Sequence, residues 1–159
     1  MNYQILLKKA ANELSSLNIK NPILDSEILL ANSLKISREK LILNLNKDIS
    51  NEEKNFFNIL LNKRKKKEPI AYIFNNKEFW NTNFFVNRSV LIPRPDSEVL
   101  VEESLKYLQN DKKYQVLDIG TGSGCILISI LKERKKCKGT GIDLSKEAIK
   151  IAEINAKIQ

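Results

Sequence analysis

The sequence is poor in the residues that build covalent or metal-held frameworks. It has no histidine among its 159 residues, and its two cysteines, Cys125 and Cys137, form no CxxC pair. A disulfide framework or a Cys/His zinc site is therefore not expected. We predict a reduced, cytoplasmic protein without a metal centre.

Long apolar runs are also missing. No segment approaches the roughly 20 apolar residues that cross a bilayer. In the N-terminal stretch MNYQILLKKAANELSS, polar residues interrupt the apolar ones. This pattern predicts an amphipathic helix rather than a signal peptide. We expect no membrane partner.

Acidic residues are outnumbered by basic ones, 19 to 27, which gives a net charge of +8. Such a charge can indicate a nucleic-acid partner. However, 22 of the basic residues are lysines and only 5 are arginines, beside 18 asparagines and 20 isoleucines. That bias is typical of an AT-rich genome, and the arginine forks that read bases and phosphates are scarce. The compositional interpretation is favoured, and direct nucleic-acid binding is not expected.

The first 67 residues predict a bundle of helices, because their apolar residues recur at helical spacing. Ser37 is suited to cap a short third helix. Ser50 and Glu53 are spaced as a capping box at the start of a fourth. We therefore predict a helical domain over residues 1–67.

The fourth predicted helix ends in the basic run KRKKK, Lys63 to Lys67. Cations at a helix C-terminus interact favourably with the helix dipole. A solvated helix end is therefore the favoured interpretation, and a contact with a polyanion is the alternative.

Residues 68–95 differ in composition and spacing from the predicted helices before them, because they contain prolines and short aromatic runs. The stretch EFWNTNFFVN places two aromatic runs around Asn81-Thr82, which predicts a β-hairpin. Pro93 and Pro95 favour an extended backbone before the next helix. We predict a linker with a hairpin over 68–95. Its expected packing face consists of Phe79, Trp80, Phe84 and Phe85.

Glycine is scarce as well, and three of the five glycines stand at every second position, at Gly120, Gly122 and Gly124. They follow the predicted strand QVLDI and precede an apolar helix. A second strand, KGTGID, and a helix with Ser145 at its start come next. This order is the opening βαβα of a parallel α/β sheet. Residues 96–159 are therefore predicted to begin a Rossmann-like domain.

The residues around the glycines narrow the choice of ligand. No Gly-Lys-Ser/Thr closes a P-loop, and Cys125 or Leu127 stands where a dinucleotide fingerprint needs its third glycine. Asp143, after the second strand, can accept both hydroxyls of a ribose. Asp118, before the loop, can receive a ligand ammonium or simply cap the strand end. The ordered set predicts S-adenosyl-L-methionine. The predicted cofactor-binding residues are Gly120, Thr121, Gly122, Ser123, Gly124 and Asp143.

Three stretches together resemble one family. They are EPIAYIFNNKEFWNTNFFVNRSVLIPRPDSEVLVE, VLDIGTGSGCILISI and GTGIDLSKEAIKIAEINA. They are similar to the HemK/PrmC-type glutamine methyltransferases that modify peptide chain release factors. The helical start, with LDSEILLANSL, resembles the small N-terminal domain of that family, which implies a role in substrate recognition for residues 1–67. The resemblance covers essentially the whole chain, and IPRPDSE is its most specific part.

The resemblance implies a class I methyltransferase fold, S-adenosylmethionine as methyl donor, and the glutamine amide of a Gly-Gly-Gln loop in release factors as acceptor. It implies that residues 120–124 line the methionine end of the cofactor and that Asp143 holds the ribose. It also implies that Arg94 and its neighbouring prolines border the entrance to the active site.

One departure from the family concerns the acceptor. The family's Asn-Pro-Pro-Tyr motif, which holds the glutamine amide, does not occur in the 159 residues. We therefore predict no catalytic residue here, and we expect an N-terminal portion that is inactive alone and packs poorly in its second half. Two alternatives stay open at this point: a non-catalytic remnant or partner-binding module, and a nucleic-acid amino-methyltransferase.

Overall fold

The computed structural model describes residues 1–159 and contains two compact units, Met1–Ile73 and Phe74–Gln159. No helix is both long enough and apolar enough to cross a bilayer.

The first unit is entirely helical, apart from one isolated bridge between Asn2 and Asp48. Its core consists of side chains at helical spacing that are completely removed from solvent, such as Leu29 and Phe57. Each side chain of this size contributes about 1.5–3 kcal/mol when it is buried. The helices are α1 (Tyr3–Ser16), α2 (Pro22–Ser33), α3 (Arg38–Ile42), α4 (Asn51–Lys65) and α5 (Ile70–Ile73).

The starts of the helices follow the local sequence. The Ser37 side chain accepts a hydrogen bond from the N–H of Lys40 at 3.3 Å. Ser50 accepts from the N–H of Glu53 at 3.2 Å, and the Glu53 carboxylate accepts from the N–H of Ser50 at 2.9 Å. The predicted cap and capping box are therefore confirmed. Caps of this kind are worth about 1 kcal/mol each.

The basic end of α4 is not uniformly solvated. Arg64 forms an ion pair with Asp25 at 2.7 Å, and Lys65 forms one with Glu13 at 2.9 Å. These two pairs fasten α4 to α2 and α1. The prediction of a solvated helix end therefore describes only the other three cations. They are the exposed Lys63, Lys66 and Lys67.

The helical unit extends beyond α4 to Ile73. The reason is α5, which contacts α4 and buries Ala71 and Ile73. The boundary predicted from the sequence, at residue 67, falls just after α4 and leaves out α5.

The second unit begins with an antiparallel hairpin, β1 (Asn76–Phe79) and β2 (Thr82–Phe85), in which Phe79 pairs with Thr82. Trp80 and Asn81 form the turn with φ values of 49° and 53°, as a tight two-residue hairpin requires. The predicted hairpin is confirmed. Of the predicted packing face, Phe79 and Phe84 are buried, and Trp80, although it lies in the turn, is partly buried against the same core. Phe85 is not part of that cluster. The buried aromatic pair is Phe79 and Phe84, with ring centroids 6.2 Å apart.

The hairpin packs against the core of the second unit. Its two buried phenylalanines share one core with Val101 and with side chains of the helix that follows the glycine loop. The N–H of Trp80 donates to the carboxylate of Glu98 at 2.9 Å, and Lys132 donates to the Thr82 hydroxyl at 3.0 Å. Part of the segment predicted as a linker therefore belongs to this compact unit.

The rest of the second unit has the predicted strand–helix–strand–helix order. The two strands are parallel and in register, with Leu117 opposite Thr140. The helix-rich α/β architecture is thereby confirmed. After a 3₁₀ turn at Pro95–Ser97, the elements are α6 (Glu98–Tyr107), β3 (Gln115–Ile119), α7 (Cys125–Glu133), β4 (Lys138–Ile142) and α8 (Lys146–Ile158).

The two faces of this small sheet differ in burial. Helix α7 covers the face to which Gly139 belongs, because a Cβ built there would approach the Leu127 side chain to 2.7 Å. On the other face Leu117, Ile119 and Ile142 are 60%, 76% and 45% exposed. The unit therefore has a packed core on one side of the sheet and an open apolar surface on the other.

Candidate cofactor site

The glycine loop joins β3 to α7 and uses a backbone conformation that other residues avoid. Gly120, Gly122 and Gly124 have φ values of 79°, 56° and 79°. L-amino acids pay roughly 1–2 kcal/mol in this left-handed region. The course of the backbone therefore favours glycine at all three positions.

The space around the glycines separates two roles. A Cβ on Gly120 would meet nothing within 4 Å, and one on Gly122 would meet only the Gly120 carbonyl oxygen at 4.0 Å. A Cβ on Gly124 would lie 2.9 Å from the Ile128 side chain and 3.3 Å from that of Ala152. The first two glycines thus leave open space for a ligand, whereas the third permits α7 and α8 to pack closely.

The loop is fastened to the carboxyl end of β4. The N–H groups of Gly120 and Thr121 both donate to the carbonyl oxygen of Ile142, at 2.8 and 3.0 Å. The N–H of Gly124 donates to the carbonyl oxygen of Thr121 at 2.8 Å. The loop therefore lies where open α/β sheets bind ligands, outside the carboxyl ends of the strands.

Asp143 lies directly beside the loop. Its Oδ1 accepts from the N–H of Ser145 and its Oδ2 from the N–H of Gly122, both at 2.9 Å. The bond from Ser145 and then that from Gly122 hold the pKa of the Asp143 carboxyl below its usual range. Each carboxylate oxygen keeps a second acceptor position. Asp143 is thus an ionised acceptor that can take further donors, such as two hydroxyls.

Asp118 is engaged with the loop itself. Its Oδ2 accepts from the Thr121 hydroxyl at 2.8 Å, and Thr121 is buried. Of the two roles considered from the sequence, the structure shows the capping of the strand end. A role toward a ligand ammonium stays a prediction.

Gly141 is a residue of this site that the sequence analysis missed. A Cβ at Gly141 would lie 2.9 Å from the Thr121 hydroxyl and 3.1 Å from the Thr121 Cβ. Glycine in β4 therefore makes room for the Thr121 side chain, which in turn reaches Asp118. The available signal was a glycine inside a predicted strand, which often marks a close approach.

Asn155 is the second missed residue. It is completely buried on α8, and its Nδ2 donates to the carbonyl oxygen of Ser123 at 2.8 Å. The signal was a polar residue in the apolar stripe of a helix, at helical spacing from the buried Ala148 and Ile151.

Cys125 opens α7 immediately after the loop. Its thiol is buried, and this desolvation raises its pKa. Because the thiolate is the nucleophilic form, Cys125 is suited to packing rather than to covalent chemistry.

The first-turn N–H groups of α7 lack partners within the helix and can face a polar ligand.

Arg94 is exposed and directly precedes the 3₁₀ turn at Pro95–Ser97. Its neighbour Pro93 is buried. The structure joins neither side chain to the glycine loop by a hydrogen bond. Their place at the entrance of an active site stays a prediction.

Comparison with known proteins assigns both units. Residues 6–74 match the family described as PrmC N-terminal domain, and residues 110–159 match the family described as methyltransferase domain. The two matches account for the helical unit and for the segment that contains the glycine loop.

Curated relatives match the chain across both units. A release factor glutamine methyltransferase of Buchnera aphidicola subsp. Baizongia pistaciae is 47% identical over 87% of this chain and 50% of its own length. One from Leptospira interrogans is 45% identical over 95% of this chain and 53% of its own length. A bifunctional methyltransferase of Rickettsia prowazekii is 38% identical over 98% of this chain and 34% of its own length. The chain thus spans about half the length of the first two relatives.

Proposed function

Since the chain belongs to the family of release factor glutamine methyltransferases, we propose that it carries the S-adenosylmethionine-binding part of such an enzyme. The proposed acceptor is the glutamine side-chain amide in the Gly-Gly-Gln loop of peptide chain release factors. The observation that carries the proposal is the bond from the N–H of Gly122 to Asp143. It joins an open glycine loop to an ionised acceptor in one site.

The residues of the site suit this cofactor. Gly120 and Gly122 leave the loop open to the methionine end of a ligand, and the Asp143 carboxylate can accept from ribose hydroxyls. Asp118 places negative charge at the base of the loop, which favours an ammonium group and disfavours a pyrophosphate. The bound cofactor would supply an electrophilic methyl group on its sulfonium.

The acceptor side of the reaction is not encoded by these residues. The resemblance assigns amide positioning to an Asn-Pro-Pro-Tyr motif, and the sequence does not contain it. Methyl transfer to an amide depends on positioning and electrostatics. We therefore propose that residues 1–159 bind the cofactor weakly and do not methylate release factors alone.

The helical unit is the proposed site of substrate recognition. The match to the PrmC N-terminal domain supports this assignment. The unit also presents exposed apolar side chains, Phe56 and Ile59 on α4, along an open groove that Lys35 and Glu52 border. A surface of this mixed character suits a protein partner.

A ligand titration tests the cofactor assignment. Amide resonances of Gly122 and Ser145 should shift with S-adenosylmethionine and with S-adenosylhomocysteine, because both N–H groups contact Asp143. NAD should leave them unchanged, because its pyrophosphate meets the charge of Asp118. Shifts with NAD alone would replace this proposal with a dinucleotide site.

A transfer assay separates the enzyme from its alternatives. Labelled S-adenosylmethionine is incubated with the 159-residue chain and either an unmethylated release factor or nucleic acid. No transfer to either is expected. Label in nucleic acid would favour an amino-methyltransferase of that class, and label in the release factor would show that these residues already contain an acceptor site.

A further inference from the structure

Asn155 is a completely buried amide in the second unit. It lies on α8, whose buried stripe is otherwise apolar, with Ala148 and Ile151. Burying an amide without partners costs several kcal/mol. Its hydrogen bonds therefore decide what this side chain contributes.

All the donor capacity of Asn155 is used, on two separate elements. Its Nδ2 donates to the carbonyl oxygens of Phe85 and Ser123, at 3.0 and 2.8 Å. Its Oδ1 accepts from the N–H of Phe85 at 2.7 Å. A flipped amide would direct its oxygen at two carbonyl oxygens, so these three bonds fix the orientation of the side chain.

Ser123 is a buried residue of the glycine loop. It is 2% exposed and stands between two glycines that have the conformational freedom of their type. The preceding residue, Gly122, is held by Asp143 at the end of β4. The next residue, Ser123, is held by Asn155 of α8, which donates to its carbonyl oxygen. Consecutive loop residues are thus fixed by two different elements.

We propose that Asn155 is a positioning residue for the cofactor loop, which it ties to strand β2 through Ser123 and Phe85. This role rests on the proposed function of the loop as a cofactor site. A loop that is ordered before binding reduces the entropy lost on binding.

Packing alone does not require an amide at this position. Helix α8 already meets the loop through Ala152, which lies close to Gly124, and buries Ala148 and Ile151. An apolar side chain at position 155 would fill the same space. What only the amide supplies is the simultaneous bonding of the loop and the hairpin.

Hydrogen exchange on the full 159-residue chain, without ligand, tests the role independently of the cofactor. Asn155→Asp keeps the shape and one acceptor but loses both donors, and it places a carboxylate beside the Phe85 and Ser123 carbonyls. The amides of residues 122–124 and of Phe85 should exchange at least tenfold faster, because the substitution removes two buried donors and leaves a charge without a partner. The amide of Leu117 in β3 should change far less.

Asn83→Asp is the matched control. Asn83 is exposed on the same hairpin, and its side-chain oxygen accepts a hydrogen bond from the Asn76 amide at 3.2 Å. A carboxylate at this position can accept the same bond. It should leave exchange in the loop unchanged. Acid should partly restore the N155D loop relative to wild type at the same pH, because protonation returns one donor.

A cofactor readout follows on the same proteins. N155D should weaken S-adenosylmethionine binding by about tenfold, whereas N83D should not. Uniform acceleration of exchange across α8, β3 and the loop would overturn the proposal, because it would show a general structural role. If N155D does not fold, the uncharged Asn155→Ser gives the same comparison. If wild type binds no S-adenosylmethionine, the proposed function fails while the exchange test still decides the role of Asn155.

Discussion

Gly122 donates its backbone N–H to the carboxylate of Asp143 at 2.9 Å, across 21 positions of sequence. This bond joins the glycine loop after β3 to the end of β4, and it combines an open backbone with an ionised side chain.

Asp143 should stay ionised well into the acidic range. Its folded-state pKa is lowered by the N–H groups of Ser145 and Gly122, so the stability it contributes is present above the unfolded pKa. That contribution declines as the pH falls below the unfolded pKa and is lost once the pH has passed through the lowered folded pKa. The Gly122 and Ser145 amide shifts, followed from neutral to strongly acidic solution, should show a midpoint below that of an ordinary aspartate. A midpoint above it would contradict the bonding described here.

Asp143→Asn should weaken S-adenosylmethionine binding on the order of tenfold and should also lower stability, because one of the two backbone donors, Gly122 or Ser145, loses its acceptor. The substitution keeps the size of the side chain but replaces one acceptor oxygen with a donor and removes the charge. Calorimetry on the variant and on wild type measures the loss. Equal affinity would remove Asp143 from the site.

Gly122 and Gly124 should respond differently to alanine. At Gly122 a Cβ has space, so Gly122→Ala should cost only the roughly 1–2 kcal/mol of a strained backbone and should mainly reduce cofactor affinity. At Gly124 a Cβ would also press on Ile128 and Ala152, so Gly124→Ala should lower the melting temperature further. Thermal unfolding and calorimetry on both variants provide the comparison. A Gly122 variant that is the less stable of the two would contradict it.

The basic end of α4 should divide into structural and neutral cations. Arg64→Gln leaves Asp25, whose side chain is only 11% exposed, without its partner, and should cost about 2–3 kcal/mol of unfolding free energy. Changing Lys63, Lys66 and Lys67 together to Gln should leave stability within about 0.5 kcal/mol. Urea unfolding of both variants decides the matter. A strong effect of the lysine triple variant would reveal an interaction of the exposed cations.

The two cysteines should differ in reactivity. Cys125 is buried with a raised pKa, whereas Cys137 is partly exposed. Iodoacetamide should therefore modify Cys137 well before Cys125 in native protein, and mass spectrometry of the digested chain reports the order. Early modification of Cys125 would show that the core beside the loop is open.

Local sequence signals predicted most of the architecture. The cap at Ser37, the capping box of Ser50 and Glu53, and the hairpin turn at Asn81 all depend on residues near one another in the chain. Short-range bonds of this type are specified by spacing alone. The strand–glycine–helix order could be predicted as well, because it also depends on residues near one another in the chain.

Contacts between distant residues were less accessible. The pairs Arg64–Asp25 and Asn155–Ser123 are separated by 39 and 32 positions, and nothing in the spacing identifies either partner. Gly141 was missed because its role depends on how closely Thr121 packs over β4. The Asp143–Gly122 bond is a long-range contact as well, but its participants were each predicted from their positions after strands.

We propose that these residues form the cofactor-binding part of a release factor glutamine methyltransferase. The most direct test joins residues 1–159 to the C-terminal half of the Buchnera aphidicola relative, which is 47% identical over the shared region. The hybrid is incubated with S-adenosylmethionine and an unmethylated release factor, and the Gly-Gly-Gln peptide is examined by mass spectrometry. We expect one methyl group on the glutamine amide, and a large loss of it when the hybrid carries Asp143→Asn. A folded hybrid that leaves the glutamine unmodified, while the relative itself methylates it in parallel, would show that residues 1–159 do not form this part of such an enzyme.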